Sequence, residues 1–503
     1  MTHIEVVSFQ LALNSRPSNV RIETGRHSSR KGFVRVRRLI VRRPTPVRQP
    51  SVDTRRSRAA LERLRVYPGP ALDDAKLPRL CVVIPTLDAP ALLERCLHAL
   101  HSSNYPRELV EVIVVDNGYR NDTAKLLARQ HPRVRVVALG NNLGFTRAIA
   151  AGVAAADRAE VFVFLNNDVL VDAAWLRELV LPIARGECAA TGARMLLPDG
   201  RPEFLGGGAN LQGFAIGFQP GEDERELAGL STSEPRRALF ACGGAMAIDA
   251  DAWRDVGGLD AEFFAYYDDL DLGWRLWLRG HEVHYVPSAV CRHDRSSTSR
   301  RFAPEAIRRL QVRNGLLCCL KNYDDEHLNR LLPTLLALSV RRAWVMSRRS
   351  GAPELAIEGR QPAPKWLRWW RARRHYKLEA LAFADFAALN EVLGAWEHWM
   401  ARRAQVQAGR RRSDAEIFEL FIDPLWCVEG EREYVELQHS LAQRFGFSAM
   451  FDTRTDAPEA NALSSARGCF ESMEVLGDEL RIEGWLIALE GALDEVELLT
   501  LLV

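Results

Sequence analysis

At 503 residues the chain is too long for a single hydrophobic core, so several domains are expected. Its composition, 47% hydrophobic and 26% charged with a net charge of +2, is that of an ordinary soluble protein and excludes a dedicated nucleic-acid binder. That balance conceals an arginine-rich first eighty residues and an acidic last thirty. A basic arm of this kind suits phosphates, anionic lipid or acidic glycan, and equally a solvated face on a flexible linker.

Nine cysteines occur without a C-x-x-C pair or metal-ligand spacing, mostly inside apolar segments, and are expected as reduced thiols of a cytoplasmic protein. The first fifteen residues lack a basic region followed by a long apolar core, so no secretory leader is expected. The longest apolar run, "LLPTLLALSV", falls short of the about eighteen residues a membrane span needs.

Along the chain, residues 1–48 read as a basic β-rich segment, from the alternation in "NVRIETG" and "GFVRVRRLIVRR". Residues 49–78 read as a Pro-containing linker with a short helix near Arg55–Arg65. From Leu80 the texture becomes α/β: "LCVVIPT", "VEVIVVDNG", "VRVVALG" and "EVFVFLNND" are buried strands alternating with helices, the pattern of a mostly parallel sheet. In such sheets ligands gather beyond the C-terminal ends of the strands. Here those ends carry Pro85-Thr86, Asp116-Asn117-Gly118, Gly140-Asn141-Asn142 and Asn166-Asn167-Asp168, all expected along one edge.

After residue 190 the pattern is mixed, with the acidic run "FFAYYDDLDLGWRLWLRGH", a strand "EVHYVP" and a loop "AVCRHDRSSTS". Residues 306–455 read as a helical domain, in which "RRAQVQAGRRRSDAEIFELF" is expected as one long basic helix. "KWLRWWRARRHYK" mixes Trp with Arg, as interfacial helices do, but also suits a helix packed on the catalytic domain. Residues 456–503 read as a β-like acidic tail that turns at Gly477-Asp478.

The segments "VVIPTLDAPALLERCLHAL", "VIVVDNG", "NNLGFTRA", "FLNNDV", "GGAMAID", "GGLDAEFFAYYDDLDLGWRLWLRGH" and "VPSAVCRH" occur in the order seen in inverting family 2 glycosyltransferases. The chain resembles in particular the bacterial rhamnosyltransferase-like and galactofuranosyltransferase-like members. The resemblance covers roughly residues 79–320 and implies a GT-A nucleotide-sugar-binding domain over 79–305. It also implies a UDP- or dTDP-sugar donor, a Mn²⁺ or Mg²⁺ ion, and as acceptor a cell-surface glycan or lipid-linked oligosaccharide. Such acceptors fit peripheral contact with the inner face of the cell membrane; self-association through the basic helix is a further expectation.

Carried over by position, Pro85, Thr86 and Asp88 border the nucleotide, and Asp116 with Asn117 contacts the base or ribose. Asp116 also suits a plain Asx turn. Asn142, Gly144 and Arg147 match a second nucleotide loop, where Gly144 admits a close ligand and Arg147 meets a phosphate or the solvent. Asn166-Asn167-Asp168 stands at the family's D-x-D motif, with Asp168 on the cation. Asn166 replaces a carboxylate there, which favours the contrasting reading of a catalytically silent glycan-binding or scaffold protein. His293, which follows "VPSAV", is the second metal ligand by family position and otherwise a polar loop residue.

In the acidic run Asp269 is the expected base, which takes the acceptor hydroxyl's proton, and Asp268 orients the acceptor or tunes its neighbour. Asp271 is expected to cap the helix or pair with Arg275. Gly243 and Gly244 are expected at the acceptor or in a tight turn, and Trp274 at the acceptor or in helix packing.

Overall fold

The computed structural model describes residues 19–25, 34–42, 63–66, 69, 76–118, 122–217, 234–294, 302–348, 380–451, 467–476 and 479–487. The basic-aromatic stretch 365–377, most of the short helix near 55–65, the Gly477-Asp478 turn and the last acidic strand lie outside them. The chain divides into two units, Met1–Gln49 with Arg454–Val503, and Pro50–Thr453. In the first, the strands Asn19–Gly25, Val34–Arg42, Glu479–Ile487 and Arg467–Leu476 lie side by side in that order, every pair antiparallel. The two ends of the chain, read from the sequence as separate segments, thus meet in one sheet.

The second unit is built on a mixed, mostly parallel core. Its strands are β1 (Leu80–Thr86), β2 (Val110–Asp116), β3 (Arg135–Ala138), β4 (Val161–Leu165), β5 (Val169–Val171), β6 (Ala190–Leu196), β7 (Pro202–Phe204), β8 (Arg236–Arg237), β9 (Ala245–Asp249) and β10 (Val283–His293). They run in the order β8-β10-β6-β9-β4-β1-β2-β3, with β5 paired to β10 and β7 to β6. The pairs β4-β1, β1-β2, β2-β3 and β6-β10 are parallel, whereas β9 runs antiparallel between β4 and β6.

Successive residues of β1 alternate between two apolar layers, which is why the strand reads as an unbroken apolar run. Val82 and Ile84 pack with Leu93, Cys96 and Leu97 of helix α1 (Pro90–His101). Cys81 and Val83 join the opposite core. Between β2 and β3 lies α2 (Asp122–Gln130), and α3 (Phe145–Ala155) puts Ala148 and Ile149 into that second core. The sheet is further covered by α4 (Trp175–Ala184), α5 (Ala250–Val256) and α6 (Asp268–Leu278).

The strand read as "EVHYVP" continues through the segment expected as a loop, because its last residues pair with β5: Cys291 opposite Val171 and His293 opposite Val169. That pairing brings His293 beside the residue preceding β5, Asp168.

The described helices between 304 and 451 fall in the same compact unit as the sheet. Helix α7 (Pro304–Asn322) is driven into the α/β core, followed by α8 (Asp325–Arg348), α9 (Ala380–Gly394) and α10 (Trp396–Ala408). The expected long basic helix stops at Ala408, and a new helix, α11 (Asp414–Phe418), starts with a capping box between Ser413 and Glu416. No helix among the described residues is long and apolar enough to cross a membrane.

Within this shared apolar core, an ionic tie joins α7 to α6 and to the loop before it. Lys321 of α7 is 1% exposed and its Nζ lies 2.7 Å from Asp260 and 2.9 Å from Asp271 of α6. Asp271 also accepts from Arg275 Nε at 2.8 Å, as the sequence suggested. Burial works to raise both carboxylates, but Lys321 and the neighbouring arginines outweigh it and hold them below the usual range. Replacing Lys321 by Met removes the cation that two buried carboxylates share and leaves them to Arg275 and Arg402, so urea titration at neutral pH should show a loss of about 3 kcal/mol. A depressed carboxylate pKa stabilises above the unfolded value of about 3.9 and ceases to as the pH falls through the folded value. The gap between parent and Lys321→Met should therefore narrow on acidification. A gap that stays constant to low pH would contradict the ionic origin of the tie.

Candidate active site

A cavity of about 580 Å³ opens at the carboxyl ends of the central strands. Its wall includes Pro85 and Thr86 from β1, Asn117 after β2, Asn142 and Gly144 before α3, and Asn166, Asn167 and Asp168 after β4. Gly243, Gly244, Asp268, Asp269 and His293 line it as well.

The asparagines at the tips tie the strand ends together. Asn117 donates from Nδ2 to Asn142 Oδ1 at 3.2 Å and to the Gly144 carbonyl at 3.1 Å, while its Oδ1 accepts from Leu143 N–H at 2.8 Å. Asn167 Nδ2 donates to Thr86 Oγ1 at 2.8 Å. Asn166 accepts at its carbonyl from Val169 N–H, the reverse turn that launches β5. These contacts fix the mutual height of the tips.

Asp116 is buried and accepts from Gly118 N–H at 3.1 Å, the Asx-turn arrangement. Neither Asp116 nor Asp88 is part of the cavity wall, although Asp88 sits against Gly118. Arg147 is exposed on α3 and likewise off the wall. Gly144, at φ 86°, is required by a protein neighbour rather than a ligand: a Cβ there would lie 2.5 Å from the Phe264 carbonyl oxygen. Trp274 is fully buried, edge-on to Tyr323 at 4.9 Å and to Phe421 at 5.0 Å, and is a core residue, not an acceptor contact.

The Asp168 carboxylate, 7% exposed, lies 3.3 Å from Nε2 of His293. On the other side of the ring, Nδ1 is 2.9 Å from Glu203, which the sequence reading missed because β7 carries no motif. Burial works to lower the His293 pKa, but the two flanking carboxylates outweigh it and push it up to about 9. The imidazolium thus serves as the positive charge between two acids. One carboxylate oxygen facing one imidazole nitrogen, with a second carboxylate orienting the ring, is a donor set that fits a divalent cation such as Mn²⁺. Among the described residues another acid–histidine cluster, Asp324, His327 and Asp414, spends its atoms on one another: His327 N–H donates to Asp324, and Asp324 N–H to Asp414.

Elsewhere in the lining, Gly243 N–H donates to Asp269 Oδ2 at 3.1 Å, and Leu270 N–H reaches Oδ1 at 2.9 Å. Burial raises the Asp269 pKa, and these two donors oppose the rise. Asp268 is pushed well above the carboxylate range, first by burial and then by the charge of Asp269. Backbone N–H groups oppose the rise at Asp268 too, but there burial and the neighbouring charge prevail by more. Both acids stand at the start of α6, where the helix dipole favours negative charge. The loop leading into them carries three bulky residues in the left-handed region, Phe264 (φ 66°), Tyr266 (φ 70°) and Tyr267 (φ 61°). Each costs about 1–3 kcal/mol.

The Glycosyl transferase family 2 profile matches residues 81–219, and that of Glycosyl transferase family group 2 matches 223–378. The N-acetylglucosaminyl-diphospho-decaprenol L-rhamnosyltransferase of Mycobacterium tuberculosis is 30% identical over 242 residues, 44% of this chain and 78% of that protein. The chain belongs to glycosyltransferase family 2. The O-antigen biosynthesis protein RfbC of Myxococcus xanthus is 29% identical over 240 residues, 46% of this chain but only 18% of that much longer protein. Among solved structures, GalNAc-T7 with UDP, GalNAc and Mn²⁺ aligns over 77% of this chain and 75% of its own, at 14% identity and a TM-score of 0.42.

In this glycosyltransferase the His293 charge is set by two acids, so removing one should be visible without any ligand. In Glu203→Gln the His293 pKa, followed by NMR titration, should fall from about 9 by about one unit or more. An unchanged value would mean that Glu203 does not share the imidazolium.

Proposed function

We propose that the cavity binds a UDP- or dTDP-linked sugar and that Asp269 deprotonates an acceptor hydroxyl, which attacks the anomeric carbon with inversion. The observation that carries this reading is that Asp269 and the Asp168–His293 pair line one and the same cavity. That shared lining supports a base and a site for the departing nucleoside diphosphate around one bound sugar. The new bond forms between acceptor oxygen and anomeric carbon as the bond from that carbon to the diphosphate oxygen breaks. The acceptor proton ends on the Asp269 carboxylate.

Asp269 suits the base because Gly243 and Leu270 N–H groups hold its charge and orient its oxygens. Asp268, kept protonated, suits a hydrogen-bond donor to the acceptor or the sugar. Asp168 and His293 are the residues that would hold Mn²⁺ or Mg²⁺, which when bound supplies Lewis-acid neutralisation of the leaving diphosphate. Asn166, which stands where the motif offers a second carboxylate, leaves that role to His293 and the donor's phosphates.

For the transferred sugar we favour rhamnose, with galactofuranose second. The name of the mycobacterial relative supports both a rhamnosyl donor and a polyprenyl diphosphate-linked acceptor. Phe302, Ile307 and Leu310 on the cavity wall suit an acceptor with an apolar part, and such a substrate would bring the enzyme to a membrane surface.

Incubating the protein and Mn²⁺ with dTDP-rhamnose or UDP-galactofuranose and a polyprenyl diphosphate-linked sugar tests the reading. Asp269→Asn should lower kcat by about a hundredfold or more, whereas Asp268→Asn, a mimic of the protonated acid, should lower it far less. Full activity in Asp269→Asn would remove it as the base. Because a base must be ionised and burial raises the Asp269 pKa, the rate should fall on acidification above the ordinary carboxylate range. An acid limb at or below the ordinary Asp value would contradict the buried base.

A further inference from the structure

The three left-handed residues before Asp268 need a holder, and one helix face supplies it. Asn314 of α7 is fully buried, and its Nδ2 lies 3.1 Å from the Phe263 carbonyl, 2.9 Å from that of Ala265 and 2.7 Å from that of Tyr266. Two amide hydrogens are thus shared among three carbonyls of one turn, that of Phe264 being turned to Thr146 instead. Arg313 donates from its guanidinium to the Glu262 carbonyl at 2.7 Å and to that of Phe263 at 3.2 Å. One turn on, the Cys318 thiol reaches the Tyr267 carbonyl at 3.6 Å, and Lys321 grips Asp260 before the loop and Asp271 after it. Positions 314, 318 and 321 follow the helical i, i+4, i+7 spacing, so a single stripe of α7 lines the loop from end to end.

We infer that Asn314 is a positioning residue for Asp269, holding the 263–267 backbone in its left-handed conformation so that the Asp269 carboxylate meets the Gly243 N–H at the cavity wall. The alternative backbone for Phe264, Tyr266 and Tyr267 is the ordinary right-handed or extended one, which turns these carbonyls away from a common point. Nothing in the loop's own sequence favours the left-handed state, since it holds no glycine, asparagine or aspartate at those three positions. The other side of the loop is fixed as well: the Phe264 carbonyl accepts from Thr146 N–H at 3.2 Å, where Gly144 leaves it room. Asn314 therefore couples the helical region to the base, and through Phe264 to the start of α3. The effect on turnover rests on the glycosyl-transfer reading above; the effect on the loop does not.

Amide hydrogen exchange on the full chain separates the two. In the unaltered protein the 263–267 amides should exchange at least a hundredfold slower than an open loop; open-loop rates there would overturn the inference without any variant. Asn314→Asp keeps the shape and replaces the donor with an oxygen facing three carbonyls. It should speed exchange in 262–270 at least tenfold while β1 and β4 change less than twofold. With whichever donor the unaltered protein consumes, the same variant should lower kcat 10- to 100-fold and change the donor KM less than threefold. Leu335→Ala, a cavity in α8 away from the site, is the control for general destabilisation. If it speeds 262–270 and lowers kcat as much as Asn314→Asp does, Asn314 has no positioning role. Unchanged loop exchange in Asn314→Asp would overturn the inference equally. A protein inert toward every donor but with the loop released in Asn314→Asp would refute glycosyl transfer and uphold the clamp.

Discussion

The buried amide of Asn314, surrounded by the carbonyls of Phe263, Ala265 and Tyr266, is the contact through which the helical region reaches the chemistry. Three bulky residues in a left-handed backbone form an arrangement that the chain adopts only under outside compulsion. With the loop so held, α6 begins at Asp268 and Asp269 faces the cavity. Lys321, two turns further along α7, fastens the same loop at both ends through Asp260 and Asp271. The first helix of the helical region thus lies against the loop that leads into Asp268 and Asp269.

The cavity joins two electrostatic arrangements that differ in how they manage buried carboxylates. At the start of α6 burial raises the pKa of both Asp268 and Asp269, and the charge of Asp269 adds to the rise at Asp268. After β4 and β10 the acids Asp168 and Glu203 flank His293, and their charges outweigh its burial. A cation bound there competes with the His293 proton, since the imidazole must be neutral to act as a ligand. The strand register makes the second arrangement possible, because His293 stands opposite Val169 in the β5–β10 pair, one residue from Asp168.

Much of this was legible in the sequence. Buried apolar strands that end in Pro85-Thr86, Asn117 and Asn166-Asn167-Asp168 mark the edge at which the cavity opens, since a parallel sheet gathers its strand ends. What stayed hidden depends on partners distant in the chain. Glu203 sits in a three-residue strand without pattern, and only its pairing with β6 brings it to His293. Asn314, in "QVRNGLL", looks like any polar residue on a helix, because its three acceptors lie about fifty positions away. Gly144 makes its close approach to Phe264, which is remote in the chain, and Trp274 takes the packing alternative, enclosed by the equally remote Tyr323 and Phe421.

The central claim is that Asp168 and His293 form the diphosphate end of a nucleotide-sugar site while Asp269 forms the base end. Calorimetric titration of UDP and of dTDP, with Mn²⁺ or with EDTA, tests it most directly in the unaltered protein and in Asp168→Ala and Asp269→Asn. The account predicts saturable binding of at least one nucleotide that requires Mn²⁺, is abolished by Asp168→Ala and survives Asp269→Asn. Binding indifferent to both EDTA and Asp168→Ala, or no binding of either nucleotide under any condition, would contradict it.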